Sequence, residues 1–188
     1  MALKALDAGV DGLVVEGGEG GGFKNPRPVS TMVLLPLIRE RCDVPIIAAG
    51  GICDGPTMAA AFAMGAEGVQ LGTAMLSCTD SPVHQNWKQA IYDGKETDTV
   101  FLNQQGRPAL RAMRTERTGE LELLGQFQPF EHMANILDLY FGGDLEAAIP
   151  LTGQVMGRIN ESRSAVEVVR STMDGFHACL EGLKASYS

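Results

Sequence analysis

The chain is poor in the residues that build metal and redox centres. Its 188 residues include three histidines and four cysteines. The cysteines, Cys42, Cys53, Cys78 and Cys179, show no CxxC spacing, so neither a zinc site nor a dithiol centre is indicated. Free thiols in a reducing cytoplasm are the expectation. No apolar run is long enough to cross a bilayer and no signal-peptide pattern is present, so no membrane partner is expected. Basic clusters are missing too. A net charge of −8 runs against nucleic acid, whose phosphates demand basic patches. The densest basic stretch, residues 107–117, holds four arginines and one glutamate and reads as a solvated segment.

What the chain does have is glycine, 23 of them, placed after short apolar runs. Val44-Pro45-Ile46-Ile47-Ala48-Ala49 ends in Gly50-Gly51, and Gly68-Val69-Gln70-Leu71 ends in Gly72-Thr73. Gly12-Leu13-Val14-Val15 precedes a loop at 16–22 with five glycines. Each run has the continuous apolar character of a buried parallel strand. Helices are expected between them, at 31–41 with Ser30 as N-cap and at 56–64 after the turn Asp54-Gly55-Pro56. In the first helix, Val33, Leu34, Leu37 and Ile38 fall at helical spacing and read as the buried face. Strand–helix–strand–helix–strand implies right-handed crossovers and a parallel sheet.

Small residues at strand ends let backbone N–H groups approach a phosphate closely. In a βα barrel the loops after the last strands are the usual phosphate site. Gly50, Gly51, Gly72 and Thr73 are therefore the expected cradle of a phosphorylated ligand, against the plainer reading of two tight turns. Glu16 and Glu19 are either acid–base groups or holders of loop amides. His84 either reaches a substrate or caps the following helix.

Beyond Thr73 the pattern becomes helical, with expected helices at 82–92, 131–141, 145–149 and 163–183 and a short strand at 97–102. In the last helix Val166, Val169, Met173, Phe176 and Leu180 form one stripe, which reads as core packing. Three strands do not close a barrel of eight, and the chain opens in an apparent helix. The fold class is thus α/β: the C-terminal part of a (βα)8 barrel with a helical C-terminal extension. Residues 1–92 form the partial barrel and 93–188 complete and extend it. An N-terminal half elsewhere, or a second copy of the chain, is expected to cover the open sheet.

Three blocks carry a family resemblance: residues 9–22, 44–55 and 64–73. In that order and at βα spacing they resemble the nitronate monooxygenase family, formerly 2-nitropropane dioxygenases, which includes flavin-type enoyl-acyl-carrier-protein reductases and some NADH:quinone reductases. Residues 80–88, 151–154 and 157–159 are also similar. The resemblance implies a (βα)8 barrel with FMN as cofactor and, in the reductases, NAD(P)H as electron donor. It implies that Gly50, Gly51, Gly72 and Thr73 hold the FMN phosphate. Gly21 and Gly22 would lie near the flavin ring, and Gln70 near the ribityl chain or phosphate. It also implies a small-molecule substrate. The family's characteristic histidine after the Glu-x-Gly-Gly block is here Phe23, which cannot accept a proton. The catalytic residue is therefore unassigned, with Glu19 and His84 as candidates. Nitronate oxidation is the leading expectation. Alternatives are an enoyl or quinone reductase, a non-catalytic fragment, and a barrel that binds a phosphorylated substrate instead of flavin.

Overall fold

The computed structural model describes residues 2–187. Three parallel strands, β1 (Leu13–Glu16), β3 (Ile46–Ala49) and β4 (Gly68–Gln70), pair in the order β1-β3-β4. Their alternation sorts the side chains. Val15, Ile46 and Ala48 are buried against helices together with Leu35 and Ala61. Val14 and Ile47, on the opposite face, are 55% and 41% exposed.

The helices that cover the sheet follow from local signals. Helix α1 (Ala2–Asp7) precedes β1, and α2 (Thr31–Arg39) crosses from β1 to β3. It packs through Thr31 and the fully buried Leu35, whereas Val33 and Leu37 are exposed. The expected buried stripe was thus rotated by one position on the Val33 and Leu37 side. Helix α3 (Gly55–Ala63) starts in a capping box, with the Asp54 carboxylate accepting from Thr57 N–H at 3.0 Å. The first residue of this helix leaves no room for a Cβ, because Gly175 of the last helix, α7 (Ala165–Tyr187), lies against it.

A second sheet was not foreseen. β2 (Gly22–Lys24), β5 (Thr99–Leu102) and β6 (Ala109–Met113) pair antiparallel in the order β2-β6-β5. The stretch at 107–117 is therefore not a solvated basic segment. Ala109, Leu110, Ala112 and Met113 are buried, and Arg111 between them donates from Nε to the Gly18 carbonyl at 2.6 Å. Residues 116–124 continue as α6 (Glu116–Leu124), started by a Thr115–Thr118 capping box.

Three helical expectations change. Residues 131–141 form a 3₁₀ turn at Pro129–Met133 and a π turn at Asp138–Gly142. Gly143, at φ +75°, stops the second, and 145–149 is a turn and loop in which Ile149 is fully buried. In α7 the expected core stripe faces outward: Val166, Val169, Met173 and Leu180 are exposed, and only Phe176 of that set is buried, beside Val168 and Thr172. Gly55 and Gly175 bring the α3 and α7 backbones close, and Phe176 packs there against Met58 and Phe62. The expected helix at 82–92 is α5 (Gln85–Asp93), which follows the short α4 (Thr73–Leu76). Its Trp87 is fully buried, donates from Nε1 to Thr152 Oγ1 at 3.2 Å, and sits in one apolar cluster with Cys53, Ala74, Leu139 and Met156.

Candidate active site

The in-register ends of the parallel strands place Glu16, Ala49 and Gln70 side by side. All three line one cleft of about 240 Å³. The loops that follow these strands complete it. Gly21 and Gly22, Gly50 and Gly51, and Gly72 and Thr73 all border the same space, so with Gln70 the seven positions expected to hold a cofactor lie together. Leu151, Gly153 and Val155 close the far wall. Their place in the cleft was missed, although residues 151–154 carried a family signal.

The loops are tied to each other by specific bonds. Glu19 folds back and accepts from Thr31 N–H at 3.0 and 3.1 Å and from Thr31 Oγ1 at 3.0 Å. It caps α2 in place of Ser30, whose side chain makes no capping bond. The Thr31 hydroxyl also lies 2.7 Å from the Gly50 carbonyl. Thr73 Oγ1 accepts from Gly153 N–H at 2.9 Å, which leaves its own proton for a ligand. Gln154 N–H donates to the Glu19 carbonyl at 2.9 Å. Glu19 thus holds backbone amides. His84 caps α5, with Nδ1 accepting from Asn86 N–H at 3.1 Å, and is not among the cleft-lining residues.

Phe23 stands opposite Leu110 in the second sheet, half exposed, with its ring 5.8 Å from that of Phe130. Its neighbour Lys24 is 95% buried at the side chain, and its ammonium meets Glu16 Oε1 at 2.5 Å. Burial pushes the Lys24 ammonium below the ordinary lysine range, against the pull of Glu16. Cys53, just past Gly51, is also buried and its thiol is pushed up by burial and by Asp54. A raised thiol pKa disfavours a redox role, because the thiolate is the reactive form.

The glycines of the cleft differ in why they are glycine. A Cβ on Gly21 would stand 2.7–2.9 Å from backbone atoms of Thr152 and Gly153, and one on Gly50 3.0–3.1 Å from Gly17 and Gly20. Gly22, Gly50 and Gly51 also have φ of +94°, +79° and +79°. Gly72 has neither constraint: φ is −98° and a Cβ would meet nothing within 4 Å. It borders the cleft, and the space at its side-chain position is open. The backbone N–H groups of Gly50, Gly51 and Gly72 meet no protein acceptor among the described residues.

Parallel βα units whose glycine-edged strand ends share a donor-lined cleft define a βα-barrel protein of the kind that binds its ligand at the C-terminal ends of the strands. The particular family is fixed by sequence: the chain belongs to the nitronate monooxygenase family, a family of oxidoreductases, whose model matches residues 1–175. It is 40% identical over 118 residues to a probable nitronate monooxygenase of Staphylococcus saprophyticus, covering 57% of this chain and 33% of that relative. Among solved structures it is similar to FabK from Thermotoga maritima, with a TM-score of 0.91 and 31% identity over 98% of this chain and 60% of that one. A nitroalkane oxidase from Streptomyces ansochromogenes shares the fold, with a TM-score of 0.84, 24% identity and coverage of 97% and 56%. The chain thus spans a third of the length of the curated relative it matches. In an eight-stranded barrel the face carrying Val14 and Ile47 is interior.

Proposed function

We propose that this chain carries the phosphate-binding side of an FMN-dependent oxidoreductase that acts on alkyl nitronates with oxygen. The observation that carries the reading is Gly72. It is a glycine with no protein reason to be one, beside backbone N–H groups with no protein acceptor. A phosphate that needs close backbone approach supplies both reasons. Gly50, Gly51, Gly72 and the free hydroxyl proton of Thr73 would hold that phosphate. Gln70 would bond the phosphate or the ribityl chain, and Gly21 and Gly22 would border the flavin. FMN, when bound, supplies the electron-transfer chemistry; the protein orients the reactants and sets the charge around them. The unpaired cysteines suit a reducing cytoplasm.

A second reading has its own support. Phe23 offers no proton acceptor, so a reductase that uses NAD(P)H and leaves proton handling to another group fits this residue better than abstraction at that position. The likeness to FabK points the same way.

The test is purification with added FMN, followed by desalting. A retained absorbance band near roughly 450 nm, the flavin's own chromophore, is the expected result. Oxygen uptake with ethylnitronate then supports the first reading, and NAD(P)H oxidation without nitronate supports the second. A colourless protein with no FMN-dependent thermal shift overturns both.

A further inference from the structure

The pair Glu16–Lys24 is not explained by cofactor binding. Glu16 puts a carboxylate on the wall of a cleft whose N–H and hydroxyl donors suit anions. Uncompensated, that half-exposed charge on the cleft wall would repel an anionic ligand held close to it. Lys24 lies directly behind it. The ammonium is buried, 2.5 Å from Glu16 Oε1, with no other carboxylate within ion-pairing distance among the described residues. Gly20 lies over the pair, and a Cβ there would strike both Glu16 Oε1 and Lys24 Nζ. The strand β2 that carries Lys24 is itself pinned to β6. The position of this buried cation is therefore set by the second sheet.

We propose that Lys24 is a positioning residue that admits an anionic reactant: by neutralising Glu16 it lets a small planar oxyanion, the chemical class of an alkyl nitronate, occupy the cleft. The proposal deepens the oxidoreductase reading and rests on it. Glu16 is the wall that Lys24 silences, and the reactant is the second anion the cleft accepts besides a phosphate. The groups that set the charge of Lys24 are Glu16, Arg111 and Glu19. Burial lowers the proton affinity of Lys24 below that of an ordinary lysine. Anion binding should accordingly weaken as pH rises, and at a lower pH than a solvent-exposed lysine would give.

The experiment uses the FMN-loaded protein and two unreactive probes, nitrate as the planar oxyanion and nitroethane as its neutral counterpart. Binding is read from the shift each causes in the flavin absorbance. K24M should weaken nitrate by about tenfold or more and nitroethane by less than about twofold. K24R, and the double variant E16Q with K24M, should return nitrate to within about threefold of the unsubstituted protein. A merely structural lysine would not be rescued by removing its partner. Equal weakening of both probes, a double variant as weak as K24M, or an unsubstituted protein that holds flavin but no nitrate overturns the proposal. Loss of FMN but not riboflavin in K24M also overturns it, by assigning the countercharge to the cofactor phosphate. If K24M does not fold, E16Q alone decides: it should tighten nitrate by about threefold, and no change or a weakening overturns the idea. A protein that keeps no flavin at all fails the oxidoreductase reading, and the proposal falls with it for that separate reason.

Discussion

The loop after β3 and the loop after β4 look alike in sequence and differ in cause. Gly50 is held at φ +79° with the backbone of Gly17 and Gly20 pressed against the place of its missing Cβ. Gly72 has ordinary φ and open space on its side-chain side. The first glycine is needed to fold the loop. The second is needed only if something else enters the cleft. A glycine-rich motif is therefore two statements, one about the fold and one about a ligand, and geometry separates them.

The largest effect should come from breaking the first loop. Gly50→Ala forces a left-handed non-glycine residue, at about 1–2 kcal/mol, and adds overpacking of about 1–3 kcal/mol. A loss of about 2–5 kcal/mol in urea unfolding is expected. A loss below about 1 kcal/mol would mean the loop relaxes freely, and the contrast with Gly72 would lose its basis. Next comes the clamp that holds this loop to α2. Glu19→Ala removes the acceptor for Thr31 N–H and hydroxyl, worth about 1.5–3 kcal/mol for bonds to a charged group. Its pH–rate profile should keep its shape. A lost limb in that profile would instead make Glu19 a proton-transfer group.

A smaller effect tests whether the extension holds the second half of the cleft. Arg158 bonds the Asp54 carboxylate, which also caps α3 through Thr57. Burial raises the Asp54 pKa, but the bonds from Arg158 and Thr57 outweigh it and hold the carboxyl below its usual range. A carboxylate with a depressed folded pKa contributes stability that is present above its unfolded value, about 3.9, and lost as pH falls through the folded one. Asp54→Asn keeps an N-cap acceptor but loses the charge that pairs with Arg158 and faces the helix N-terminus; it should cost about 0.5–1 kcal/mol at neutral pH, and the difference from the unsubstituted protein should shrink below about pH 4. Urea unfolding at pH 7 and pH 3 measures both. A difference that grows in acid would remove Asp54 from this role.

The same contrast explains what was legible in the sequence. Buried parallel strands are runs such as Ile46-Ile47-Ala48-Ala49, apolar on both faces, and the turns after them need small residues, so the first sheet and the cleft loops stood out. The second sheet did not. β2 is three residues inside a glycine-rich loop, and β6 carries Arg111 at its centre among three other arginines. Its pairing is long-range, and no local pattern reports it. The Glu16–Lys24 pair was hidden for the same reason, since a loop and a strand reversal bring the two together. The stripe on α7 misled because helical spacing shows which side chains share a face, not what covers that face. Glycine packing against α3 decided the latter.

Gly72→Ala should have the smallest effect on stability and the most direct bearing on function. With φ at −98° and no protein atom within 4 Å of the new methyl group, unfolding free energy should stay within about 0.5 kcal/mol of the original. The methyl group would occupy the open side of the cleft, so retained FMN should fall by about tenfold or more, the cost of holding a phosphate away from its N–H donors. Gly50→Ala would lower FMN retention only as far as it unfolds the loop. If Gly72→Ala keeps both stability and flavin, the open space at this position serves no ligand, and both cleft loops would be glycine for reasons of folding alone.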